Sequence, residues 1–487
     1  MDDSTAPAPS GSIAAAAANV IPRYSYYALG VLTFVNFLNY IDRQVLPALG
    51  PTLKKELGFT DTEFGMMEAA LLLSFTILAP LFGKLGDKGS RTKLMAVAAV
   101  IWSIATAVTG LSDKLPFMPG ALNLHLPIVN FTLALSGIAI LFCLVRAIVG
   151  VGESSFSTIT PSLIADYFPP AKRATALGIF QAAIPMGFAL GYVIGAVLAY
   201  YFGWRLAFMF VGIPGLITAV FVWKLKEPIR GATDALDPLV DAKKSRTDLD
   251  AESGVQTSWL RTASHIVMTR DWLLSTMGYT ALTFALGAFA TWGTILLTED
   301  KGMTQTSAAV ALGLVTLLGG AAGTFGGGWL ADRVAKKRVS VYFYFCAAGS
   351  ILGVIPALVV LSSNRAVIFL PAIFLAVMFL FVNNAPFHAI LVGSVSPLVR
   401  ATAVALNIVF IHVFGDVQSR FGVGILSDAI KDGKFAFFGS VARMIGLDPT
   451  AKHLSAALLV APIALVVSSA LFLWGARSHK PPTANTH

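Results

Sequence analysis

Apolar residues run through this chain in long blocks separated by short polar ones. A helix rises about 1.5 Å per residue, so a hydrocarbon core of about 30 Å takes roughly 20 apolar residues. Blocks of that length fall near 24–48, 61–86, 94–112, 132–165, 172–200 and 205–225, and again near 272–297, 306–331, 340–361, 366–392, 400–424 and 454–476. The pattern predicts an all-α membrane protein with twelve transmembrane helices in two sets of six. Between the sets, Asp234, Asp237, Asp241, Asp248 and Asp250 mix with Lys243, Lys244 and Arg246. Mixed charge without periodicity reads as a solvated linker. The expected organisation is a disordered cytoplasmic tail over 1–22, a six-helix bundle over 23–226, a linker over 227–270, a second bundle over 271–477 and a tail over 478–487. The first segment carries Asp2 and Asp3 where a secretory signal has a basic stretch, which favours a tail.

Composition sharpens this. Apolar residues make up 56% and charged residues 13%, about half the charge of a soluble protein. The net charge of +9 sits in short loops rather than in a patch, so it does not point to nucleic acid. Placing both termini inside puts about twice as many Lys and Arg on cytoplasmic segments as outside, including Lys84, Lys88, Arg91 and Lys93 after the second block. The expected location is therefore the cell (inner) membrane with both ends cytoplasmic. Two cysteines are too few for a disulfide framework, and both, Cys143 and Cys346, lie in apolar blocks, which favours packing roles.

The halves repeat. Gly83-Lys84-Leu85-Gly86-Asp87-Lys88 follows the second block and Gly328-Trp329-Leu330-Ala331-Asp332-Arg333 the eighth; Arg173-Ala174-Thr175-Ala176 opens the fifth and Arg400-Ala401-Thr402-Ala403 the eleventh. Two signatures in register argue for duplication. Aspartate at a helix end accepts hydrogen bonds or pairs with a base. Gly83, Asp87, Arg91, Asp332 and Arg333 are accordingly candidates for a cytoplasmic gate, beside the plainer reading of a basic topogenic loop. Gly187, Gly191 and Gly195, and Gly319, Gly323 and Gly327, form stripes that let helices approach closely, as static packing or as a sliding seam.

With these signatures, the chain resembles the major facilitator superfamily over roughly residues 24 to 476, with Ser90 standing where that pattern usually has glycine. Narrower resemblance, to the spinster family of lipid transporters, rests on Asn39-Tyr40-Ile41-Asp42-Arg43, on Arg146 through Glu153, on Gly278-Tyr279-Thr280-Ala281 with Thr283-Phe284, and on His412-Val413-Phe414-Gly415-Asp416 followed by Gly424 through Asp428. Arg420 stands where that family often has proline. The resemblance implies two pseudo-symmetric bundles and movement of a lysolipid or phosphorylated sphingoid base.

Ions within apolar blocks carry the candidate chemistry, because an ionised side chain at a helix centre costs roughly 2.5–3.5 kcal/mol on insertion scales and asks for a partner or a cavity. Counting along the helices sets Asp42 about 28 Å and Arg146 about 30 Å from the cytoplasmic face, at matching depth. Glu153, seven residues from Arg146, shares its helix face. Asp42, Glu153 and Arg146 are expected either to couple protons, with Arg146 alternating between carboxylates and an anionic headgroup, or to form a fixed ion pair. Arg43 reads as an outer companion of Asp42, a snorkelling residue or a substrate contact, and Glu68 as interfacial. Asn39, Arg43, Arg146, Glu153, Thr283, Phe284, Asn383, Asn384, His388, Asn407 and His412 are the candidate substrate contacts. His412 and Asp416 stand one turn apart without a third ligand, so no metal site is expected; a carboxylate-oriented histidine or an ordinary interhelical hydrogen bond fits the spacing.

No phosphate-binding loop, His-Glu-x-x-His or Gly-x-Ser-x-Gly is present, so neither an ATP-driven pump nor a hydrolase is indicated. The expectation is a monomeric secondary transporter in the lipid bilayer with protons as coupling ion, no other cofactor and no nucleic-acid partner. Its substrate is an amphiphilic lipid or, alternatively, a small organic anion or drug; a non-transporting receptor on a carrier fold is the third reading.

Overall fold

The computed structural model describes residues 21–126, 131–230, 259–335, 339–396 and 399–479. Residues 1–20 of the tail and most of the linker therefore lie outside the described residues, as does the chain beyond 479. In the first bundle, α1 spans Arg23–Leu57, α2 Asp61–Lys88, α3 Arg91–Thr109 and α4 Gly137–Tyr167, while α5 covers Pro170–Trp223. Gly203, at φ 80 and ψ 160, breaks α5 into the fifth and sixth spans. The second bundle holds α7 (Arg270–Ile295), α8 (Gln305–Ala335) and α9 (Val339–Ser362), preceded by α6 (Trp259–Met268). Span ten is split into α10 (Ala366–Phe381) and α11 (Asn384–Gly393). Span eleven comprises α12 (Arg400–Phe410), a wide turn over Ile411–Asp416 and α13 (Val417–Lys431). Short helices α14 (Ala436–Met444) and α15 (His453–Ala457) lead to α16 (Val460–Ser478). This is a twelve-span, two-bundle layout, with large apolar side chains such as Ile77, Leu318 and Ile355 exposed on the outer walls where lipid would lie.

Local chemistry sets the boundaries. Thr60 and Glu63 form a capping box that starts α2, each side chain bonding the other's backbone N–H at 3.1 and 3.0 Å. Ser136 starts α4 by accepting from the Ala139 N–H at 3.3 Å. Ser90, the departure from the superfamily pattern, caps α3 and also donates to Glu227 at 3.2 Å.

One expectation is corrected. The fourth span begins at Gly137 rather than near 132, because Leu122–Leu126 and Phe131–Leu135 pair as an antiparallel hairpin, β1 and β2, with Leu122 opposite Leu135. Apolar residues there alternate with Asn123, His125 and Thr132, a period of two that a hydropathy window cannot separate from a helix. Within the linker, α6 occupies the end and buries Ala263 and Ile266. The glycine stripes pack inside their own bundles. A Cβ on Gly187 or Gly191 would meet α1 at Tyr40 or Gln44, and one on Gly319 or Gly323 would meet α10 at Phe374 or Phe381. Static packing is therefore the role the stripes play in this conformation.

The bundles meet along one half of the molecule, the half nearer Asp61. Lys54 reaches Glu299 at 2.9 Å, Gln305 donates to the Ala48 carbonyl at 2.8 Å, and Thr52 donates to Gln305. Tyr192 donates to the Ala290 carbonyl, and Phe64 lies edge-on to Trp292. Among the described residues, no hydrogen bond or ion pair joins the bundles in the half nearer Asp87. The protein is closed on the Asp61 face and open towards the Asp87 face.

Candidate functional site

Between the bundles lies a cavity of about 720 Å³. Its charged wall takes Arg43, Glu68 and Arg146 from the first bundle and His412, Asp416 and Arg420 from the second. Its apolar wall is built by α5, α8 and α10, with Met186, Phe188, Leu317, Phe325, Val377 and Phe381 among its residues.

The ions of the first bundle form two rungs. Arg146 Nη1 stands 3.7 Å from Asp42 Oδ1, and Thr106 donates to the other Asp42 oxygen. Arg43 Nε donates to Glu153 Oε2 at 2.6 Å, with its guanidinium 5.0 Å from the Tyr40 ring and 4.8 Å from the Phe75 ring. Adjacent residues on α1 thus take partners seven residues apart on α4. This corrects the expected place of Arg43: it holds Glu153, not Asp42. Asp42, Arg146 and Glu153 are almost fully buried. Asp42 Oδ1, Glu153 Oε1, Arg146 Nε and Nη1 and both Asn39 amide atoms lack a hydrogen bond among the described residues. A buried polar atom left unpaired costs about 1–3 kcal/mol, so the cluster is set to change partners, take up a proton or admit water.

In the second bundle the wide turn over Ile411–Asp416, a feature that often marks functional sites, carries His412. His412 Nδ1 lies 2.9 Å from Asp416 Oδ2, and its ring stands edge-on to Phe75 of the first bundle at 5.9 Å. One turn further, Arg420 Nη1 donates to Glu68 Oε2 at 2.6 Å and to Thr291 at 2.9 Å. Glu68 is buried at this crossing, which corrects the interfacial reading. It was missed because it lies only about 10 Å along α2 from Asp61; a carboxylate in an apolar run was the available signal.

Of the candidate substrate contacts, Arg43, Arg146, Asn384 and His412 line the cavity. Asn384 accepts from the Tyr279 hydroxyl at 2.7 Å, and that ring stacks on Phe387 at 3.8 Å. The others lie off the lining. Asn383 points into its own bundle, donating to Cys346 O at 3.1 Å and Ser350 at 3.0 Å. Thr283 donates to Thr280 O at 2.9 Å beneath Gly415. Asn39, Glu153 and Asn407 are buried in bundle interiors, Phe284 is partly buried, and His388 is exposed nearer the Asp87 face.

Among the described residues, the gate candidates have no hydrogen bond or ion pair across the bundles. Arg91 pairs with Asp166 at 2.5 Å and Glu227 at 2.7 Å. Arg230 donates to the Gly86, Asp87 and Gly89 carbonyls, and Gly83 faces Thr158. Asp332 accepts from Tyr342 at 2.8 Å, and Arg333 lies 5.3 Å over the Trp329 ring. The Asp87 carboxylate is exposed.

A sequence profile of the Major Facilitator Superfamily matches residues 32–415. Protein spinster of Drosophila melanogaster is 28% identical over 420 residues, 84% of this chain and 63% of that protein, so the chain spans less than two thirds of its length. Protein spinster homolog 1 of Homo sapiens is 30% identical over 427 residues, covering 84% of this chain and 74% of that protein. A bacterial homolog to the human lysosomal transporter Spinster, in an inward-facing and unoccupied conformation, superposes with a TM-score of 0.76 at 20% identity, over 93% of this chain and 97% of that one. A D-xylose-proton symporter gives 0.63 at 15% identity, over 91% and 97%. The chain therefore belongs to the major facilitator superfamily and, within it, to the transporters of the spinster type.

Proposed function

We propose that this carrier moves a lysophospholipid or a sphingoid-type amphiphile across the cell membrane by alternating access, driven by the proton gradient. The observation that carries the reading is the cavity's two-sided chemistry: arginines and carboxylates at its closed end, and a broad apolar wall on α5, α8 and α10. A headgroup would sit against Arg43, Arg146 and Arg420 while its chain lies along Phe188, Leu317 and Phe325. The bacterial homolog to a lysosomal transporter and the proton symporter among the similar folds lend support to carriage and to proton coupling respectively. Asp42 and Glu153 take the coupling protons, and Arg43 and Arg146 trade partners as the bundles rock. The charge bias of the loops supports cytoplasmic termini, which makes the open Asp87 face the inner one.

Reconstitution tests this. A labelled lysophospholipid is followed in proteoliposomes of the full chain with and without an imposed pH gradient, beside Asp42→Asn. Gradient-dependent flux that disappears in the variant is expected. Absent lipid flux, together with proton movement on adding small organic anions, would replace the lipid with a water-soluble anion clamped by the same arginines.

A further inference from the structure

The Gly-x-Leu-x-Asp pattern of Gly83–Asp87 and Gly328–Asp332 occurs a third time, at the opposite face, as Gly424-Ile425-Leu426-Ser427-Asp428 near the end of α13. Among the described residues, the first two copies make no hydrogen bond or ion pair across the seam in this conformation. The third crosses the seam. Asp428 Oδ1 accepts from the Asp61 N–H at 3.2 Å and Oδ2 from the Thr62 N–H at 2.7 Å. Those are the first two residues of α2, whose N–H groups a helix cannot satisfy internally. The capping box of α2 uses the N–H groups of Thr60 and Glu63 and leaves these two open. A carboxylate from the other bundle completes the cap, and the helix dipole favours a negative charge there.

Neighbouring atoms hold it in place. The Ser427 hydroxyl donates to Asp61 Oδ2 at 2.6 Å, and Lys54 Nζ lies 2.6 Å from Asp61 Oδ1. A Cβ on Gly424 would stand 2.8 Å from the Asp61 carbonyl carbon, so the pattern's glycine is what allows this approach. On the same seam Leu133 and Leu135 of the hairpin pack with Ile425 and Ala429 of α13.

We propose that Gly424–Asp428 is the latch of the Asp61 face. Asp428 caps α2 while that face is closed and must release it for the face to open, whereas among the described residues Asp87 and Asp332 have no cross-bundle hydrogen bond or ion pair on the face that is already open. One short signature thus serves both faces. The proposal rests on alternating access and not on the substrate or on protons.

The test is a pair of distances in the full-length protein, by pulsed electron resonance, with Cys143 and Cys346 replaced by alanine. Labels replace the exposed Tyr201 and Val367 for the Asp61 face, and the exposed Lys84 and Val334 for the Asp87 face. Asp428→Ala should raise the population open at the Asp61 face by roughly two- to thirtyfold, the range that loss of a helix cap produces, and narrow the Asp87 face in step. Asp428→Asn keeps one acceptor and should fall between. Gly424→Ala reaches the same end by crowding and decides the matter if Asp428→Ala does not fold. Loosening at both faces together would indicate a merely destabilised fold and overturn the latch, as would distributions equal to wild type. A single fixed distance at both faces in every variant would overturn alternating access itself, and the latch with it.

Discussion

Arg420 of α13 crosses to Glu68 of α2 with Nη1 2.6 Å from Oε2, and the pair closes the end of the cavity nearer Asp61. Both side chains are largely buried, and Thr291 takes a further hydrogen bond from the same guanidinium nitrogen. The pair joins the two bundles at the depth where the charged wall begins, so closure of that face and shape of the cavity share one contact.

Removing one partner strands the other. A buried charge without its partner costs about 3–5 kcal/mol, whereas replacing both with apolar groups is often neutral. Arg420→Leu and Glu68→Leu are each expected to lower the unfolding midpoint in detergent, and the double variant to recover most of the loss. Additive losses across the four proteins would mean that the two side chains do not act as a pair.

The reach of the sequence follows from what depth counting measures. Asp42 and Arg146 lie at matching depth by residue count, and the structure brings them to 3.7 Å. Depth says nothing of azimuth. Asp42 and Arg43 are neighbours on α1 but point about 100° apart, so Arg43 found Glu153 where counting along the helix suggested Asp42. Asn383 fails for the same reason, turning into its bundle while Asn384 turns to the cavity. Glu68 shows a second limit: near a membrane face, hydropathy does not distinguish a headgroup region from a seam between bundles that excludes water. Most of the twelve spans depended on neither distinction, since length and apolarity mark them; the first, over Arg23–Leu57, carries Asp42 and Arg43 and falls short of that mark.

The linker's first residues grip the α2–α3 corner by a contact that titrates. Burial pushes the Glu227 carboxyl up, but the Arg91 guanidinium and the Thr92 N–H outweigh it and hold the group below its ordinary value. A lowered folded-state pKa gives stability that is present above the unfolded value of about 4.3 and lost as pH falls through the folded one. Hydrogen-exchange protection at the Thr92 amide, which donates to Glu227 at 3.0 Å, should therefore hold from neutral pH to about 5 and fall below about 4. Glu227→Gln should show the weaker protection at every pH. Equal protection in the variant would remove Glu227 from the contact.

Gly203 isolates backbone strain from crowding. Its φ of 80 and ψ of 160 lie in a region that side-chain-bearing residues rarely enter, yet a Cβ there would have nothing within 4 Å. Gly203→Ala is thus expected to cost about 1–3 kcal/mol from the backbone alone. Gly178→Ala, equally open but in regular helix, should be neutral or slightly stabilising. Equal unfolding midpoints for the two variants would show that the turn between spans five and six adapts without strain.

Phe75 stands where the two bundles' charged groups come nearest to sharing a side chain. Its ring lies 4.8 Å from the Arg43 guanidinium inside the first bundle and edge-on to His412 of the second at 5.9 Å, so movement between the bundles changes the His412 contact directly beside the one to Arg43. A cation against an aromatic face contributes about 0.5–2 kcal/mol, and that attraction helps fix Arg43 on Glu153. Phe75→Leu keeps much of the volume but removes the ring. If protons drive transport through this cluster, the variant should lose roughly two- to thirtyfold in gradient-driven accumulation. Exchange of substrate at equal pH, which needs the cavity but not the coupling, should stay within about twofold. A matched fall in both would make Phe75 part of the cavity wall alone; unchanged accumulation would leave the Arg43–Glu153 pair independent of the ring. The comparison separates coupling from binding because both measurements use the same protein and substrate, and differ only in the imposed gradient.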